Sequence, residues 1–535
     1  MNWKEYKALS LEEKRNDIYY IIGLDLGNDS SGMAFYNLST NSPEAIDLSG
    51  GYGKPSMPTV IQYIAETKEW VFGEYAVLNR GAGTEITLRA LIERLGNFEY
   101  IDVDRRSLSV ANVLSLFIKE LLGNVRNINP KAEIAGIVAT VPAYFCEQAC
   151  DELKRAFKFA GYEDKLVALV SDRECVLAHH YHSSPVLELK SRLDVLPLQK
   201  EERVMLFDYG ARELRGGLYN VKSVDGGILA TSVSSLFRDD IGVAKINKDI
   251  DGFFEAFVRK EVSKDKTLTV GFMRQLLEHI SAFSYQHRDI LFQRNIRTKP
   301  VKVYFNFTYP PFQQTITNEQ IQSLVRPYSK GFDNFIQDVF AKNISGTPVT
   351  PKDIDTVLCV GGGFEMLWAK EAVNAVFTNA QVSFYKNPKM INCEGAAIVA
   401  ACALGIPGVG AKLELEDTHQ LAYDIGLSDG KNFLPLVERN AFWWQSHQSK
   451  LILVNQEING ELDLGLCRRT GAGELQNIGS MRLRGLPPRP KGTTRLEVGL
   501  NFVSDTEAVV TVRDRGFGEM FPQTGFEKDV QVKLG

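Results

Sequence analysis

The chain has 535 residues, 44% hydrophobic and 24% charged, with a formal net charge of −5. That length exceeds a single hydrophobic core and predicts two to four domains, while the mild negative charge argues against a general nucleic-acid surface. No stretch reaches the roughly 20 apolar residues that span a bilayer, and Met1 to Asp17 is charged without the apolar centre of a signal peptide, so a cytoplasmic protein with no membrane or nucleic-acid partner is expected.

In chain order, an apolar run from Tyr20 ends in Asp25, turns at Gly27 and resumes after Gly32. This predicts a buried strand, a tight turn and a returning strand. Glycine lets a backbone approach a bound group closely, and successive turn amides make an anion-binding concavity. An aspartate at its mouth can hold a hydrated metal beside a phosphate; an ordinary hairpin with a polar tip is the alternative. Strands are expected at 57–64 and 70–73, and a helix from about Glu85 to Leu95. A second helix, 109–122, places Val110, Val113, Leu114, Phe117 and Leu121 at helical spacing before Gly123. A strand at 134–141 is broken by Pro142, a helix follows from Cys146 to Ala160, and a strand closes the first half at 166–170.

The second half repeats the order. Strands at 203–209 and 216–221 form a second hairpin carrying Asp208 and Gly210, followed by a strand at 227–234 and helices at about 244–262 and 270–292. A strand is expected at 301–307, and Thr317 with Gln320 reads as a capping box. The strand 356–360 runs into Gly361-Gly362-Gly363, a strand–glycine–helix turn of the phosphate- or sugar-binding kind. A short strand at 381–385 and a small-residue helix at 395–404 complete this part. Gly405, Pro407, Gly408 and Gly410 mark a boundary, and Lys412 to Asp417 reads as a linker. Beyond it, short alternating runs at 450–454, 461–466, 494–502 and 508–512 predict an all-β domain, with Pro487, Pro488 and Pro490 stiffening one turn.

Seven cysteines show no C-x-x-C pairing; Cys146 and Cys150 share a helix face, where inert burial is favoured over redox or metal work. His179, His180 and His182 lack a cysteine or carboxylate at ligand spacing, which favours a partly exposed helix end over a metal site.

With both hairpins placed, the sequence resembles the seventy-kilodalton heat-shock chaperone family, the DnaK-type proteins. The stretches Gly23-Leu24-Asp25-Leu26-Gly27 and Leu206-Phe207-Asp208-Tyr209-Gly210 resemble its two phosphate loops. Val138-Ala139-Thr140-Val141-Pro142-Ala143-Tyr144-Phe145 resembles its central signature, and Val360-Gly361-Gly362-Gly363 with Asn387-Pro388 and Gly395-Ala396-Ala397 its adenosine end. Leu483 to Gly492 resembles the turn in its peptide-binding β domain. The resemblance implies an N-terminal extension (1–17), a two-lobed actin-like α/β ATPase domain (18–405, lobes about 18–200 and 201–405), a linker (406–417) and a β-sandwich substrate-binding domain (418–535). The family's helical lid is expected to be missing, because the chain ends at Gly535, and the small subdomain atop the first lobe to be trimmed.

Carried over by resemblance, the catalytic set is Asp25, Arg89, Asp172 and Asp208, with Asp25 and Asp208 holding magnesium through water. The nucleotide set is Gly27, Asn28, Asp29, Gly210, Ala211, Arg212, Gly361, Gly362, Gly363 and Glu365. Several positions depart from the family. Asn28 and Asp29 replace two threonines, Arg89 replaces the catalytic lysine, and Ser171-Asp172-Arg173-Glu174 replaces Asn-Glu-Pro-Thr. Gly210-Ala211-Arg212-Glu213 replaces Gly-Gly-Gly-Thr, and Glu365 stands where an arginine stacks on the base. Ser284 and His287 fall near ribose-binding positions. Asp29 and Glu213 put negative charge beside phosphate; Arg212 and Arg215 either offset it or pair with Asp29 and Glu213 and close the cleft. ATP and Mg2+ are therefore the expected cofactors, weakly held or lost.

The leading reading is a chaperone-like protein that binds unfolded or extended polypeptide through Ile425, Ile452, Leu462 and Leu464, with core packing as the alternative for that quartet and Ser428 and Asn455 as polar departures. Pro142 is the allosteric proline of the resemblance; Cys150 replaces an expected arginine, and Glu414 and Glu416 interrupt the linker, so weak coupling is expected. An ATP-driven chaperone with slow hydrolysis, a scaffold working with co-chaperones, and a sugar or acetate kinase are the competing functions.

Overall fold

The two hairpins are the centres of two six-stranded sheets in the computed structural model. The structure describes residues 1–535 except 50, 52, 79–84, 97–99, 143–144, 146, 184–200, 225–226, 239, 263–299, 307–310, 342–348, 408, 410–411, 417–420, 422, 429–431, 440–447, 470–473, 503–506 and 534–535. The helix expected at 270–292, Ser284, His287 and Cys146 lie outside the described residues. The chain divides into two units, Met1–Pro142 with Leu153–Glu416, and Asp417–Gly535 with Ala143–Glu152.

In the first sheet, Tyr19–Asp25 runs antiparallel to Ser30–Asn37, with Asp25 opposite Gly32, and parallel to Glu133–Val141, which pairs in turn with Leu166–Ser171. The second sheet repeats the arrangement: Glu202–Tyr209 is antiparallel to Leu214–Val224 and parallel to Thr356–Val360. Both central strands read as unbroken apolar runs because both faces are covered; Ile22, Leu24, Val204 and Phe207 are fully buried. Over the second sheet, Phe207, Phe332, Phe335, Phe364 and Phe377 make one aromatic cluster. Against the first sheet lies the helix Ile391–Ala403, rich in small residues. Its approach is close enough that a Cβ at Gly23 would strike the Ala397 amide, and one at Gly395 the Cys175 carbonyl. Gly23 therefore serves helix packing.

Two expectations are corrected here. The helix expected from Glu85 to Leu95 is a strand, Glu85–Leu88, followed by a single turn at Ile92–Arg94. Pairing with Ile61–Ile64, Leu88 opposite Ile61, fixes it as sheet and overrides local propensity. The stretch read as a linker is also a strand: Lys412–Glu416 adds in parallel to the edge of Gly227–Arg238, and Leu413 and Leu415 pack half-buried on the core beneath. The charged N-terminal segment packs against the rest of its unit. Its two short capped helices bury Tyr6, and Lys14 donates to the Leu404 carbonyl at 3.0 Å, at the carboxyl end of Ile391–Ala403.

The second unit holds two four-stranded antiparallel sheets, in the orders Phe433–Val437, Asp424–Ser428, Glu461–Arg469, Leu475–Arg484 and Gln448–Val454, Thr494–Phe502, Glu507–Asp514, Glu527–Lys533. Residues of both sheets contribute to one core, among them Leu427, Leu436, Leu466, Leu483, Val498 and Val510. Ile425 and Leu462 belong to that core as well, 4% and 3% exposed, so these two members of the expected peptide groove are packing residues; Ile452 and Leu464 are half-buried against it. Strand alternation decides this, since every second residue faces inward.

Candidate functional site

Asp25 ends the first strand of the first sheet, and Thr140, near the end of the parallel Glu133–Val141, donates to its Oδ1 at 2.5 Å. Asp172 opens the helix Asp172–Ser183 just past Leu166–Ser171, its Oδ1 accepting the Arg173 amide at 2.8 Å. From the second sheet come Asp208 and, directly across the hairpin, Arg215. The Arg215 guanidinium donates to Asp172 Oδ2 through Nη1 and to Glu213 Oε1 through Nε at 2.5 Å, and its Nη1 lies 3.9 Å from Asp208 Oδ2. The structure thus brings together three of the four expected catalytic residues, Asp25, Asp172 and Asp208.

These carboxylates crowd one another. Burial pushes the Asp25 carboxyl up to about 6 against the pull of Thr140, with the charge of Asp172 adding to the rise. Burial likewise pushes Asp208 up to about 7; Arg215 opposes this, while Asp172, Asp25 and Glu213 reinforce it. A phosphate brought here would meet further negative charge, at a cost of about 4 kcal/mol per unit pair at 4 Å and an intermediate dielectric.

Arg89 does not join the cluster as described: it is exposed at the end of Glu85–Leu88. The turn at Gly27 is closed on itself, since a Cβ there would strike the Ser30 carbonyl. Asn28 Oδ1 accepts the Glu93 amide at 3.1 Å, and Asp29 is exposed, its carbonyl taking the Thr59 amide at 2.9 Å. Arg212 pairs through Nε with Glu93 at 3.3 Å and lies 4.0 Å from Glu213. Of the two alternatives for Arg212 and Arg215, pairing within the cleft is the one seen: Glu213 is a partner of both, with Glu93, Asp172 and Asp208 in place of Asp29, because hairpin register aims Arg215 across at Asp208. The carbonyls of Gly210 and Ala211 accept the Val243 and Ala244 amides at 3.1 and 2.7 Å, which occupies the first amides of the helix Val243–Val262.

At the far turn, Gly361 has φ +86°, and a Cβ there would lie 2.6 Å from Asp208 Oδ1. A Cβ at Gly362 would approach Lys389, and one at Gly363 the Tyr209 ring. Gly27, Gly361 and Gly363 are thus required by packing against backbone or a ring, whereas a Cβ at Gly210 would meet only the Glu213 carbonyl at 3.4 Å. Glu365 faces Lys389 at 3.6 Å, and Pro142 follows directly after Glu133–Val141. The histidines sit on Asp172–Ser183, with His179 Nε2 3.0 Å from Glu394 Oε2; no metal-ligating group was found among the described residues.

Arg215 is the residue whose place sequence reading missed. Its signal was present: with Gly210 to Glu213 as the turn, Asp208 and Arg215 fall opposite each other. The magnesium that the resemblance implies does not fit these residues, since a guanidinium already bonds Asp172 and Glu213 and lies 3.9 Å from Asp208.

Residues 42–220 match the C-terminal part of a family of unknown function (DUF5716), and residues 419–534 match a domain of unknown function (DUF8552). The chain is similar to the chaperone protein DnaK of Thermosipho melanesiensis, 24% identical over 511 residues that cover 94% of this chain and 79% of the relative. DnaK of Thermosipho africanus is 23% identical with the same coverage, and DnaK of Thermotoga petrophila 23% identical over 516 residues, again covering 94% and 79%. The chain is a distant relative of the DnaK chaperones, and its mixed α/β sheets are compatible with that kinship.

Proposed function

We propose that this protein is a chaperone-like binder of extended apolar polypeptide, with 18–405 as a degenerate nucleotide-binding region and 418–535 as the polypeptide-binding region. The relationship to proteins named chaperones supports the class of activity. One observation carries the polypeptide site. Among the described residues Gln448–Val454 is the edge strand of its sheet, and Leu451 and Leu453 on its outer face are each 55% exposed. An open strand edge pairs with an extended backbone, while pockets beside alternate side chains select residue type. Ile452, on the inner side of that strand, and Leu464, on a strand of the other sheet, are half-buried against the core. The crowded carboxylates at Asp25, Asp172 and Asp208 support weakened nucleotide binding, and Pro142 then has little nucleotide signal to relay.

The test is fluorescence anisotropy of a Leu-rich extended peptide against the full chain and its Leu451→Asp/Leu453→Asp variant. Micromolar binding, about −8 kcal/mol, is expected for the wild type and at least a tenfold loss for the variant, with unchanged melting because both side chains face solvent. Equal binding by both proteins, or none by either, sinks the polypeptide site.

A further inference from the structure

We infer that Arg215 is the resident cation of the carboxylate cluster: its guanidinium holds the place among Asp172, Asp208 and Glu213 that a divalent ion would need, and the site is closed from within. This rests on the reading of a weakened nucleotide site and supplies its cause. The bonds to Asp172 and Glu213, with Asp208 3.9 Å away, span the helix that follows the first sheet and the hairpin of the second. The side chains are little exposed, 14% for Arg215, 8% for Asp172 and 3% for Glu213, so solvent screens them weakly.

Magnesium demands near-octahedral oxygens at about 2.0–2.1 Å, and here it would confront a fixed charge of its own sign. Arginine does not give up its proton in proteins, so the counter-charge cannot be exchanged as a bound ion can. The neighbouring cations do not supply an alternative: Arg212 is engaged with Glu93, and Arg173 lies buried beside Asp172 on the same helix. Attachment through the hairpin also fixes the position, because Arg215 is the cross-strand partner of Asp208.

The experiment follows melting of the full chain with Mg2+ or Mn2+ at constant ionic strength and without nucleotide. Wild type should ignore the ion. Arg215→Gln should melt lower, and the ion should raise it by about 2–4 °C or more. The double variant Arg215→Gln/Asp172→Asn, which removes one charge of each sign, should recover much of the loss without metal. Stabilisation of wild type by the ion equal to that of the variant overturns the inference. So does a loss in Arg215→Gln that neither the ion nor Asp172→Asn repairs, or failure of both variants to fold, since packing would then explain Arg215. A fold regained only in the double variant supports it. Calorimetric titration of wild type with ATP separates the two readings. Binding without Mg2+ would sink the weakened-site reading while leaving the resident cation intact, and Mg2+-dependent binding would sink both.

Discussion

Two arginine–carboxylate clusters in this molecule, one in each unit, are built on opposite terms. In the second unit Arg489 meets Asp514 one to one. Nη1 and Nη2 donate to Oδ1 and Oδ2 of Asp514, each at 2.8 Å, and Nη2 also donates to the Pro522 carbonyl at 2.7 Å. The remaining lone pairs of Asp514 accept from the Gly516 amide and from Thr524. Burial alone would raise this carboxyl, yet Arg489 and these donors hold it below its ordinary value. In the first unit a single Arg215 is shared among Asp172, Glu213 and Asp208, with Asp25 close by, and Asp25 and Asp208 are pushed toward the neutral form. A balanced, fully hydrogen-bonded pair acts as a clamp. An unbalanced cluster crowds like charges around one guanidinium and so holds electrostatic tension.

The comparison is broken most severely at the clamp. Arg489→Ala leaves Asp514 buried without its partner, and should cost about 3–5 kcal/mol, read as the loss or large downshift of the second unit's transition in urea. Arg215→Gln should cost less, about 2 kcal/mol, because Asp25 and Asp208 can take up protons to relieve the imbalance. Equal losses at the two sites would erase the distinction between clamp and tense cluster.

Acidity sharpens it next, and the signs are opposite. Asp25 and Asp208 have folded values of about 6 and 7 against an ordinary 3.8, so the stability they lend is full below about 4 and lost as pH rises through 6 to 7. Asp514 is depressed, so its contribution is present above the ordinary carboxylate value and lost as pH falls through its lower folded value. Melting from pH 3 to 8 should show the first unit weakening toward pH 8 and the second weakening only toward pH 3. Parallel profiles would refute the contrast.

Separating the units tests whether each cluster can be read alone. Because Lys412–Glu416 is a strand of the first unit's sheet, a protease should spare it, and Leu413→Asp/Leu415→Asp should make it cleavable several-fold faster. Rapid wild-type cleavage inside 412–416 would return that stretch to a linker. The smallest effect belongs to Arg482 and Asp463, a cross-strand pair with both side chains 58% exposed. Arg482→Ala should leave melting unchanged within error, since exposed pairs are worth little; a clear downshift would mean that burial is not what distinguishes the clamp.

The sequence by itself determined the elements whose signal is local. The apolar runs into Asp25 and Asp208, the helical spacing over 110–121, the Thr317–Gln320 capping box (2.9 and 3.3 Å) and the alternation over 494–502 all describe elements seen in the structure. Periodicity and capping depend on neighbours along the chain, and so they are legible without a fold. Tertiary structure alone decided the rest. Glu85–Leu88 and Lys412–Glu416 became strands because an existing sheet edge offered them partners. Ile425 and Leu462 became core because a second sheet covers their face. Arg215 became the partner of Asp172 because two elements distant in sequence meet there, and electrostatic pairing over such a separation leaves no periodic trace in the chain.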